Sequence, residues 1–392
     1  MPKKTIRDLD VRSKRVLVRV DFNVPLKDGA VMDDTRIEAA LPTIEYLING
    51  GAKVILMSHL GRPKGKPDPA FKMDPVARRL EELLGRRVRK IDSCVGPEAQ
   101  EAVGEMAEGD VLLLENTRFY PGETSNDPEF ARELAELGDI FVNDAFGAAH
   151  RAHASTYGVA EHLPTVAGFL MEKEISIMDK ILKEPDRPLT AVVGGAKIAD
   201  KMSVLLNFMN HVDNLLIGGG VANTFLQAME HEVGKSLVEE EKVKPALDIV
   251  ESSRTNGVKL FLPEDVVVAE EISPEAKTEV VAVDAVPENM MILDIGPKTA
   301  QKYSEIIRES RSAVWVGPMG VFEHDAFAGG TKAVADAVAD VPYSFVGGGD
   351  SAAAAEKMGV ADRITHVSTG GGASLKYLGG EELPGISVIM EK

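Results

Sequence analysis

The sequence predicts two α/β domains, each built on a doubly wound parallel sheet, joined by a long helix. Three observations support this fold class. Apolar, strand-like runs alternate with helical runs in both halves of the 392-residue chain, as parallel sheets with crossover helices require. Each apolar run ends in polar or glycine-rich residues, and a helical pattern at 168–183 separates the halves. The length also suggests more than one domain.

Composition narrows the class of protein. The chain is 44% hydrophobic and 27% charged, which is typical of a soluble globular protein. Cys94 is the only cysteine, so we expect no internal disulfide and a reducing cytoplasm. No membrane-spanning run or secretory leader is apparent. The net charge of −18 argues against nucleic acid and anionic membranes as partners, and it makes any cluster of cations informative.

In the first half, polar residues follow each predicted strand. The run 15–25, RVLVRVDFNVP, alternates as a strand does and ends in Asp21 and Asn23. The other predicted strands are 53–58, 87–91, 111–114 and 140–142, the one at 87–91 being weakly marked. The predicted helices are 34–49, 75–84 and 127–137.

Five cationic residues lie just after strands of this half or in the loop or helix start beyond them. They are Arg36, His59, Arg62, Arg118 and Arg151. Parallel strands place their carboxyl ends on one edge of a sheet, so these side chains should converge on a small, multiply charged anion. The alternative is that each arginine pairs with a surface carboxylate. His150, His153 and His162 lack a zinc-ligand spacing, so they are interpreted as structural or positioning residues.

In the second half, glycines replace arginines at the strand ends. The glycine-rich segments are 193–197, 218–220, 317–320, 347–351 and 369–374. Glycine lets backbone N–H groups approach a phosphate. Lys197 and Lys201, four residues apart, are predicted to share one face of a helix start. Asp350 suits a Mg²⁺ that arrives with nucleotide phosphates, or it is a plain helix cap. Glu323 is suited to ribose hydroxyls.

Two further segments resemble nucleotide-binding motifs, but the residues around them do not match what each motif requires. Residues 347–352 fit the dinucleotide fingerprint, but no acidic residue follows at about 20 positions. The triplet at 234–236 matches the end of a P-loop, but Met229 stands where the first glycine belongs. Both interpretations are rejected.

Nine motifs in order give the chain an end-to-end resemblance to the phosphoglycerate kinase family. They are RVDFNVP, SHLGRP, LLENTRF, NDAFGAAHRAHAS, GFLMEKE, GGAKIADK, GPMGVFE, GGGDSAAA and STGGGASL. The resemblance implies a bilobal kinase with two Rossmann-like domains and a hinge helix. It implies reversible phosphoryl transfer between ATP and the carboxylate of 3-phosphoglycerate, giving ADP and 1,3-bisphosphoglycerate, in glycolysis and gluconeogenesis. Mg²⁺ would accompany ATP or ADP.

The resemblance also assigns roles to residues and boundaries to domains. Asp21, Asn23 and Arg36 would meet the substrate carboxylate, and His59, Arg62, Arg118 and Arg151 its 3-phosphate. Catalysis would fall to Arg36, Lys197, Gly371 and Gly372. The nucleotide would contact Lys197, Lys201, Gly219, Glu323, Gly348, Gly349, Asp350 and Ser351, with Asp350 at the metal. The implied parts are a substrate domain 1–167, a hinge 168–185, a nucleotide domain 186–374 and a returning segment 375–392. The family suggests a monomer.

One position departs from the family pattern. Val316 stands where the family usually has Asn. Because valine donates no hydrogen bond from its side chain, we expect weaker nucleotide binding or slower turnover, and the same reaction.

The chemistry of the reaction agrees with the resemblance. A carboxylate nucleophile is ionised at pH 7 and needs no general base, whereas positive charge and in-line positioning are required. Arg36 and Lys197 come from opposite halves, which suggests hinge closure on both ligands. Two other classes stay open from the sequence: a nucleotide-binding regulator without turnover, and a dinucleotide-dependent dehydrogenase.

Overall fold

The computed structural model describes residues 2–392 and divides the chain into two compact units. The first unit consists of Met1–Ser176 and Glu382–Lys392, and the second of Ile177–Glu381. The chain leaves the first unit within the helix Phe169–Lys183.

In the first unit, eight strands and five α-helices precede the connecting helix. The strands are β1 (Arg15–Arg19), β2 (Leu26–Lys27), β3 (Ala30–Val31), β4 (Lys53–Met57), β5 (Arg89–Lys90), β6 (Val111–Leu113), β7 (Ile140–Asn143) and β8 (Thr165–Ala167). The helices are α1 (Thr35–Asn49), α2 (Asp74–Leu84), α3 (Pro97–Gly104), α4 (Pro121–Ser125) and α5 (Pro128–Ala135), followed by α6 (Phe169–Lys183).

Six of these strands form one parallel sheet in the order β5–β6–β4–β1–β7–β8. The central strand β1 is covered on both faces. Val16 and Val18 belong to one core cluster, and Leu17, between them, belongs to the cluster on the other face. Burial on both sides explains why the apolar residues of β1 are consecutive and do not strictly alternate with polar ones. The prediction of a doubly wound parallel sheet is confirmed here.

The second unit repeats this plan with other strands. Its strands are β9 (Leu189–Val193), β10 (Asn214–Ile217), β11 (Lys259–Phe261), β12 (Asp265–Ala269), β13 (Glu279–Ala282), β14 (Met291–Ile295), β15 (Ser312–Val316), β16 (Tyr343–Gly347) and β17 (His366–Val367). Its helices are α7 (Met202–Phe208), α8 (Gly219–Ala228), α9 (Val243–Asn256), α10 (Pro297–Arg308), α11 (Gly329–Ala339), α12 (Gly349–Lys357) and α13 (Gly372–Leu378).

The main sheet of this unit is also parallel, in the order β11–β10–β9–β15–β16–β17. Val192, Trp315 and Val346 pack together in one core cluster. Val193 and Val316, which point to the opposite face, are fully buried as well. Helices therefore cover both faces, as predicted for a second doubly wound domain.

A three-stranded antiparallel sheet, β13–β12–β14, was not predicted. Only one face of β12 is well covered: Val266 and Val268 are fully buried, whereas Val267 between them is partly exposed. Of the two valines of β13, Val280 is 56% exposed, and Val281 is partly buried against the cluster that contains Val266 and Val268. An apolar run that stays at the surface resembles a buried parallel strand in sequence, so pattern alone does not separate the two.

The connecting helix α6 starts on side chains of the first unit. Phe169 N donates to the Thr43 hydroxyl at 2.8 Å, and Met171 N donates to Asp144 Oδ1 at 3.1 Å. These contacts satisfy N–H groups that have no partner inside the helix. Its last turn carries Lys180 and Lys183, which favour the negative end of the helix dipole.

A final short helix, α14 (Pro384–Ser387), belongs to the first unit. Gly385 N donates to the Ala149 carbonyl at 2.8 Å, and Asn143 Nδ2 donates to the Gly385 carbonyl at 2.9 Å. The C-terminal segment thus packs at the end of β7. Within residues 2–392 no helix combines the length and the apolar character needed to span a membrane.

Candidate active site

Each parallel sheet has one strand pair whose members are adjacent in the sheet and distant in the chain. The pair is β1 and β7 in the first sheet and β9 and β15 in the second. Loops leaving the carboxyl ends of such strands run in opposite directions and open a crevice, which is where open α/β sheets bind ligands. The residues predicted from sequence follow these strands or their neighbours in the sheets.

Asp21 and Arg36 form an ion pair just beyond β1. Arg36, in the first turn of α1, donates from Nη1 to Asp21 Oδ2 at 3.0 Å and to the Asn23 carbonyl at 3.3 Å. Asp21 is nearly buried, and its Oδ1 accepts no hydrogen bond from residues 2–392. The pair fixes one edge of the guanidinium group, whose remaining N–H groups can bind an anion.

The loop after β4 joins the ends of three strands. Gly61 N donates to Asn23 Oδ1 at 2.9 Å, and the Gly61 carbonyl accepts from Arg118 Nη1 at 2.7 Å. Gly61 has a φ of +62°, and a Cβ there would lie 2.3 Å from the ring of Phe71. Only glycine fits this position without displacing the ring. Asn23 and Arg118, which follow β1 and β6, are thereby both hydrogen-bonded to the loop that carries Gly61 and the exposed Arg62.

Positive charge accumulates around His59 and Arg118. Arg36 and Arg118 act electrostatically on His59, and Arg151 acts on Arg118. Burial, followed by repulsion from Arg151 and Arg19, lowers the pKa of Arg118 to about 10. The Arg118 Nε atom is buried without a hydrogen-bond partner in residues 2–392. An anionic ligand would relieve both the repulsion and the missing hydrogen bond.

His59 is neutral at physiological pH. Burial lowers its pKa well below 6.5, and the charges of Arg19 and Arg118 lower it further. Arg19 Nη2 lies 2.9 Å from His59 Nδ1. A guanidinium can only donate, so Nδ1 is the acceptor and the proton of the ring is on Nε2. His59 therefore carries one N–H donor, at Nε2, and no charge.

Arg19 is a functional candidate that the sequence analysis missed. It is fully buried in β1 and donates to Ser155 Oγ at 2.8 Å as well as contacting His59. Ser155 in turn binds the fully buried carboxylate of Glu123, its Oγ donating to Oε1 at 2.7 Å and its N–H to Oε2 at 3.0 Å. Burial lowers the pKa of Arg19, whereas Glu123 and Asp21 oppose that shift. The available signal was an arginine inside the apolar run RVLVRV.

In the second unit, glycine loops after β9, β10 and β15 pack directly on one another. Gly195 N donates to the Pro318 carbonyl at 2.8 Å, and Gly219 N donates to the Met319 carbonyl at 3.0 Å. Gly219 has a φ of +60°, and a Cβ there would come within 2.7 Å of the Pro318 carbonyl oxygen. Side chains would separate these loops, so glycine is required for their close approach.

A cavity of about 280 Å³ opens at these loops. Its floor is made by Gly195, Gly219 and Pro318 and its walls by apolar residues of β14. Leu237 and Ile272, each about half exposed, line it too. Glu323 and Asp350 provide its carboxylates. An apolar slot with two acidic groups suits a flat base attached to polar, hydroxylated and phosphorylated parts.

Lys197 and Lys201 do not share a helix, so that part of the sequence prediction is wrong. Lys197 is exposed in the loop after β9, and Lys201 ends a 3₁₀ turn, Ala199–Lys201, directly before α7. Gly194 and Gly195 donate their N–H groups to the Val316 and Pro318 carbonyls, and Gly195 has a φ of +94°, so the chain bends along the neighbouring loops before the helix begins. Lys201 is partly buried, and this burial lowers its pKa, while Asp200 and Asp350 oppose the shift.

The start of α12 brings together the predicted phosphate and metal residues. Asp350 is exposed in its first turn, after Gly348 and Gly349. Ser351 is buried, and its Oγ donates to the Gly347 carbonyl at 2.8 Å and accepts from Gly317 N at 2.6 Å. The hydroxyl therefore braces two glycine loops.

Gly371, with a φ of +52°, precedes α13, and a Cβ on Gly371 or Gly372 would meet no other atom within 4 Å.

Val316 ends β15 between the last residues of two neighbouring strands. It is fully buried and pairs with Val193 on one side and Gly347 on the other. Its carbonyl accepts from Gly194 N at 2.8 Å. Its backbone thus supports the glycine loops, while its side chain offers no polar group.

Comparison with known proteins identifies the family. A family model described as phosphoglycerate kinase matches residues 6–381. The chain belongs to the phosphoglycerate kinase family. A phosphoglycerate kinase from Moorella thermoacetica is 59% identical over 393 residues, covering 100% of both chains.

Solved structures agree over nearly the whole chain. Phosphoglycerate kinase from Coxiella burnetii is 44% identical with a TM-score of 0.91, over 99% of this chain and 98% of that one. The enzyme from Pyrococcus horikoshii is 37% identical with a TM-score of 0.85, over 98% of each chain. The chain is therefore a phosphotransferase of glycolysis and gluconeogenesis, and its small-molecule substrates are ATP or ADP and 3-phosphoglycerate or 1,3-bisphosphoglycerate. The regulator and dehydrogenase alternatives are not favoured.

Proposed function

We propose that the first unit binds the phosphoglycerate, that the second binds the nucleotide, and that Arg36 and Lys197 stabilise the phosphoryl group during transfer. The observation that carries this proposal is the cluster of Arg36, Arg118 and Arg151 around the neutral His59, in a chain of net charge −18. Cations collected at one sheet edge, with an unpaired N–H on Arg118, favour a multiply charged anion as ligand.

The substrate would lie with its two charged ends on different residues. Asp21, Asn23 and Arg36 stand at the carboxylate end, and the Arg36–Asp21 contact of 3.0 Å keeps the guanidinium in place. His59, Arg62, Arg118 and Arg151 hold the 3-phosphate. A neutral His59 contributes an Nε2–H hydrogen bond, while the arginines supply the charge.

The transfer step needs no general base. The attacking group is a carboxylate oxygen, already ionised at pH 7, which forms a bond to the γ-phosphorus as the bond to the β,γ-bridging oxygen of ATP breaks. ADP leaves with that oxygen, and no proton moves. Arg36 and Lys197 neutralise the equatorial oxygens, while N–H groups at Gly371 and Gly372 stabilise the group in flight.

On the nucleotide side, Gly219 and Glu323 would contact adenosine. Lys201, Gly348, Gly349 and Ser351 would contact its phosphates, with the Ser351 Oγ acting mainly as a brace. We propose that Asp350 binds the Mg²⁺ that accompanies ATP or ADP. Its exposed carboxylate beside Lys201 and the glycine loops is the hard oxygen ligand that Mg²⁺ prefers, with nucleotide phosphates as further ligands. The ion would screen the charge of the phosphates.

Because Arg36 and Lys197 belong to different units, we propose that binding of both ligands draws the units together and excludes water. The hinge would lie at 168–185, with 1–167 and 186–374 as the domains and 375–392 as the returning segment. We further propose a cytoplasmic monomer without nucleic-acid or membrane partners, which the charge of −18 supports.

A coupled assay of ADP formation tests the proposal. We expect ADP only when ATP, Mg²⁺ and 3-phosphoglycerate are all present, and at least a tenfold higher KM for 3-phosphoglycerate in Arg118→Ala with the KM for ATP unchanged. The matched control is Arg308→Ala, on α10 of the second unit, where the arginine pairs with Asp340. Equal KM values in wild type and Arg118→Ala would refute the assignment of the first unit to phosphoglycerate.

A further inference from the structure

Lys357 connects the backbone at Glu323 to α12, the helix that carries Asp350, so both acidic residues of the nucleotide cavity are linked to one helix. Lys357 is the last residue of α12, whose first turn carries Asp350. Lys357 Nζ donates to the carbonyls of Phe322 and Glu323, each at 2.9 Å, and to Asp325 Oδ1 at 3.2 Å. All three acceptors belong to the loop that follows β15 and carries Glu323.

The backbone at Glu323 is held by a turn of its own loop, in which His324 N donates to the Val321 carbonyl at 3.1 Å, and by Lys357. Val321 N donates to the Leu293 carbonyl at 2.9 Å, and the Phe322 side chain is buried in the core of the second unit. Beyond Phe322 the chain returns to the surface, where the side chains of Glu323 and Asp325 are exposed. Lys357 therefore adds a side-chain clamp from α12 at the point where the backbone leaves the core.

We propose that Lys357 is a positioning residue that sets the direction of the Glu323 carboxylate towards the ribose of the bound nucleotide. This inference rests on the proposed contact between Glu323 and ribose. An ammonium with three donors satisfies two adjacent carbonyls and a carboxylate at once. Fixing the 322–323 backbone restricts where the Glu323 side chain can reach, so less entropy is lost when it binds a hydroxyl.

A purely structural role makes a different prediction. A lysine in the last turn of a helix stabilises that helix through the dipole wherever its side chain points. Such a role would change thermal stability and would alter binding of all nucleotides alike. A positioning role acts on ribose recognition alone, so it changes the preference between nucleotides with and without ribose hydroxyls.

The test measures kcat/KM for ATP, 2′-deoxy-ATP and 3′-deoxy-ATP in four proteins: wild type, Glu323→Ala, Lys357→Met and Lys332→Met. Lys332 is an exposed lysine in the first turns of α11 and serves as the charge-matched control. We expect Glu323→Ala and Lys357→Met each to reduce the preference for ATP over one deoxy analogue by about tenfold, the effect of one charge-assisted hydrogen bond. The Lys332→Met variant should keep the preference of the wild type.

Two results would overturn the inference in distinguishable ways. If Lys357→Met keeps the wild-type preference while Glu323→Ala loses it, the positioning role is wrong and the ribose contact of Glu323 stands. If Glu323→Ala also keeps the preference, the ribose contact itself is wrong. The variant Asp325→Asn, which keeps both backbone contacts of Lys357, should behave like the wild type, and a loss of preference there would place the clamp on Asp325 instead.

Discussion

At the residue scale, the first prediction tests whether Lys197 acts in the transfer step or in substrate binding. It is exposed in the loop after β9, so its replacement removes no packing. If its ammonium neutralises the phosphoryl group in transfer, Lys197→Ala should lower kcat by about two orders of magnitude or more, with smaller changes in KM. Steady-state kinetics measure both values. Lys298→Ala, at an exposed lysine paired with Glu264, is the control, and a near-normal kcat in Lys197→Ala would remove that residue from the mechanism.

A second residue-scale prediction concerns buried Asp294. Burial raises its pKa to about 7, although the N–H groups of Gly330 and Ile295 oppose the shift. The folded state thus binds a proton more tightly than the unfolded state, whose carboxyl titrates near 3.8. The resulting stability is fully present below pH 3.8 and is lost as the pH rises through about 7, a difference of about 4 kcal/mol.

NMR titration of carbon-13-labelled aspartate carboxyls measures this directly. We expect two aspartate signals to titrate above pH 5, with midpoints near 7 and near 6, and the signal with the midpoint near 7 to vanish in Asp294→Asn. If every aspartate signal of the folded protein titrates below pH 5, both this pKa and the one that burial raises to about 6 at Asp144 are wrong.

At the element scale, the next prediction concerns Val316 at the end of β15 and tests whether the missing side-chain amide limits ATP binding or turnover. Val316→Asn puts an amide in a fully buried position between β9 and β16. If that amide reaches a nucleotide phosphate, the KM for ATP should fall or kcat should rise, by about fivefold to tenfold. The buried amide should also cost about 1–3 kcal/mol of stability in the absence of nucleotide.

Val316→Ala is the control for this change, because it removes the valine without adding an amide. Kinetics and thermal unfolding of both variants, with and without ATP, separate the two effects. If Val316→Asn and Val316→Ala have the same KM and kcat, the site has compensated for the missing amide by other contacts.

The elements also show what sequence can and cannot predict. The parallel strands and the residues after them were predictable because a short apolar run and the polar or glycine-rich residues at its end are local signals. The helix shared by Lys197 and Lys201 was predicted wrongly, because tertiary packing of the Gly195 and Gly219 loops overrides the local spacing. Arg19 escaped notice because its partners Ser155 and Glu123 lie more than 100 residues away. Such partners become visible only when the sheet is assembled.

At the scale of the whole molecule, the net charge opposes binding of the substrates except where cationic side chains gather. Every substrate is an anion, and the chain carries a net charge of −18. Long-range repulsion of that kind is screened within about 10 Å at ordinary ionic strength. Short-range attraction by Arg36, Arg118, Arg151 and Lys197 is less screened where these groups are desolvated. On the proposed assignment, binding would depend on one local group of cations in each unit, and the cations within a group repel one another.

The proposed closure would depend on both ligands. If phosphoglycerate neutralises the cations of the first unit and MgATP supplies the counter-charge for Lys197, as proposed, only the pair of ligands would favour approach of the units. We expect small-angle X-ray scattering to show a smaller radius of gyration with 3-phosphoglycerate and a non-hydrolysable ATP analogue together than with either alone. If Arg118 binds the 3-phosphate as proposed, Arg118→Ala should need a higher concentration of 3-phosphoglycerate for the same change. An unchanged radius of gyration with both ligands at saturation would count heavily against hinge closure.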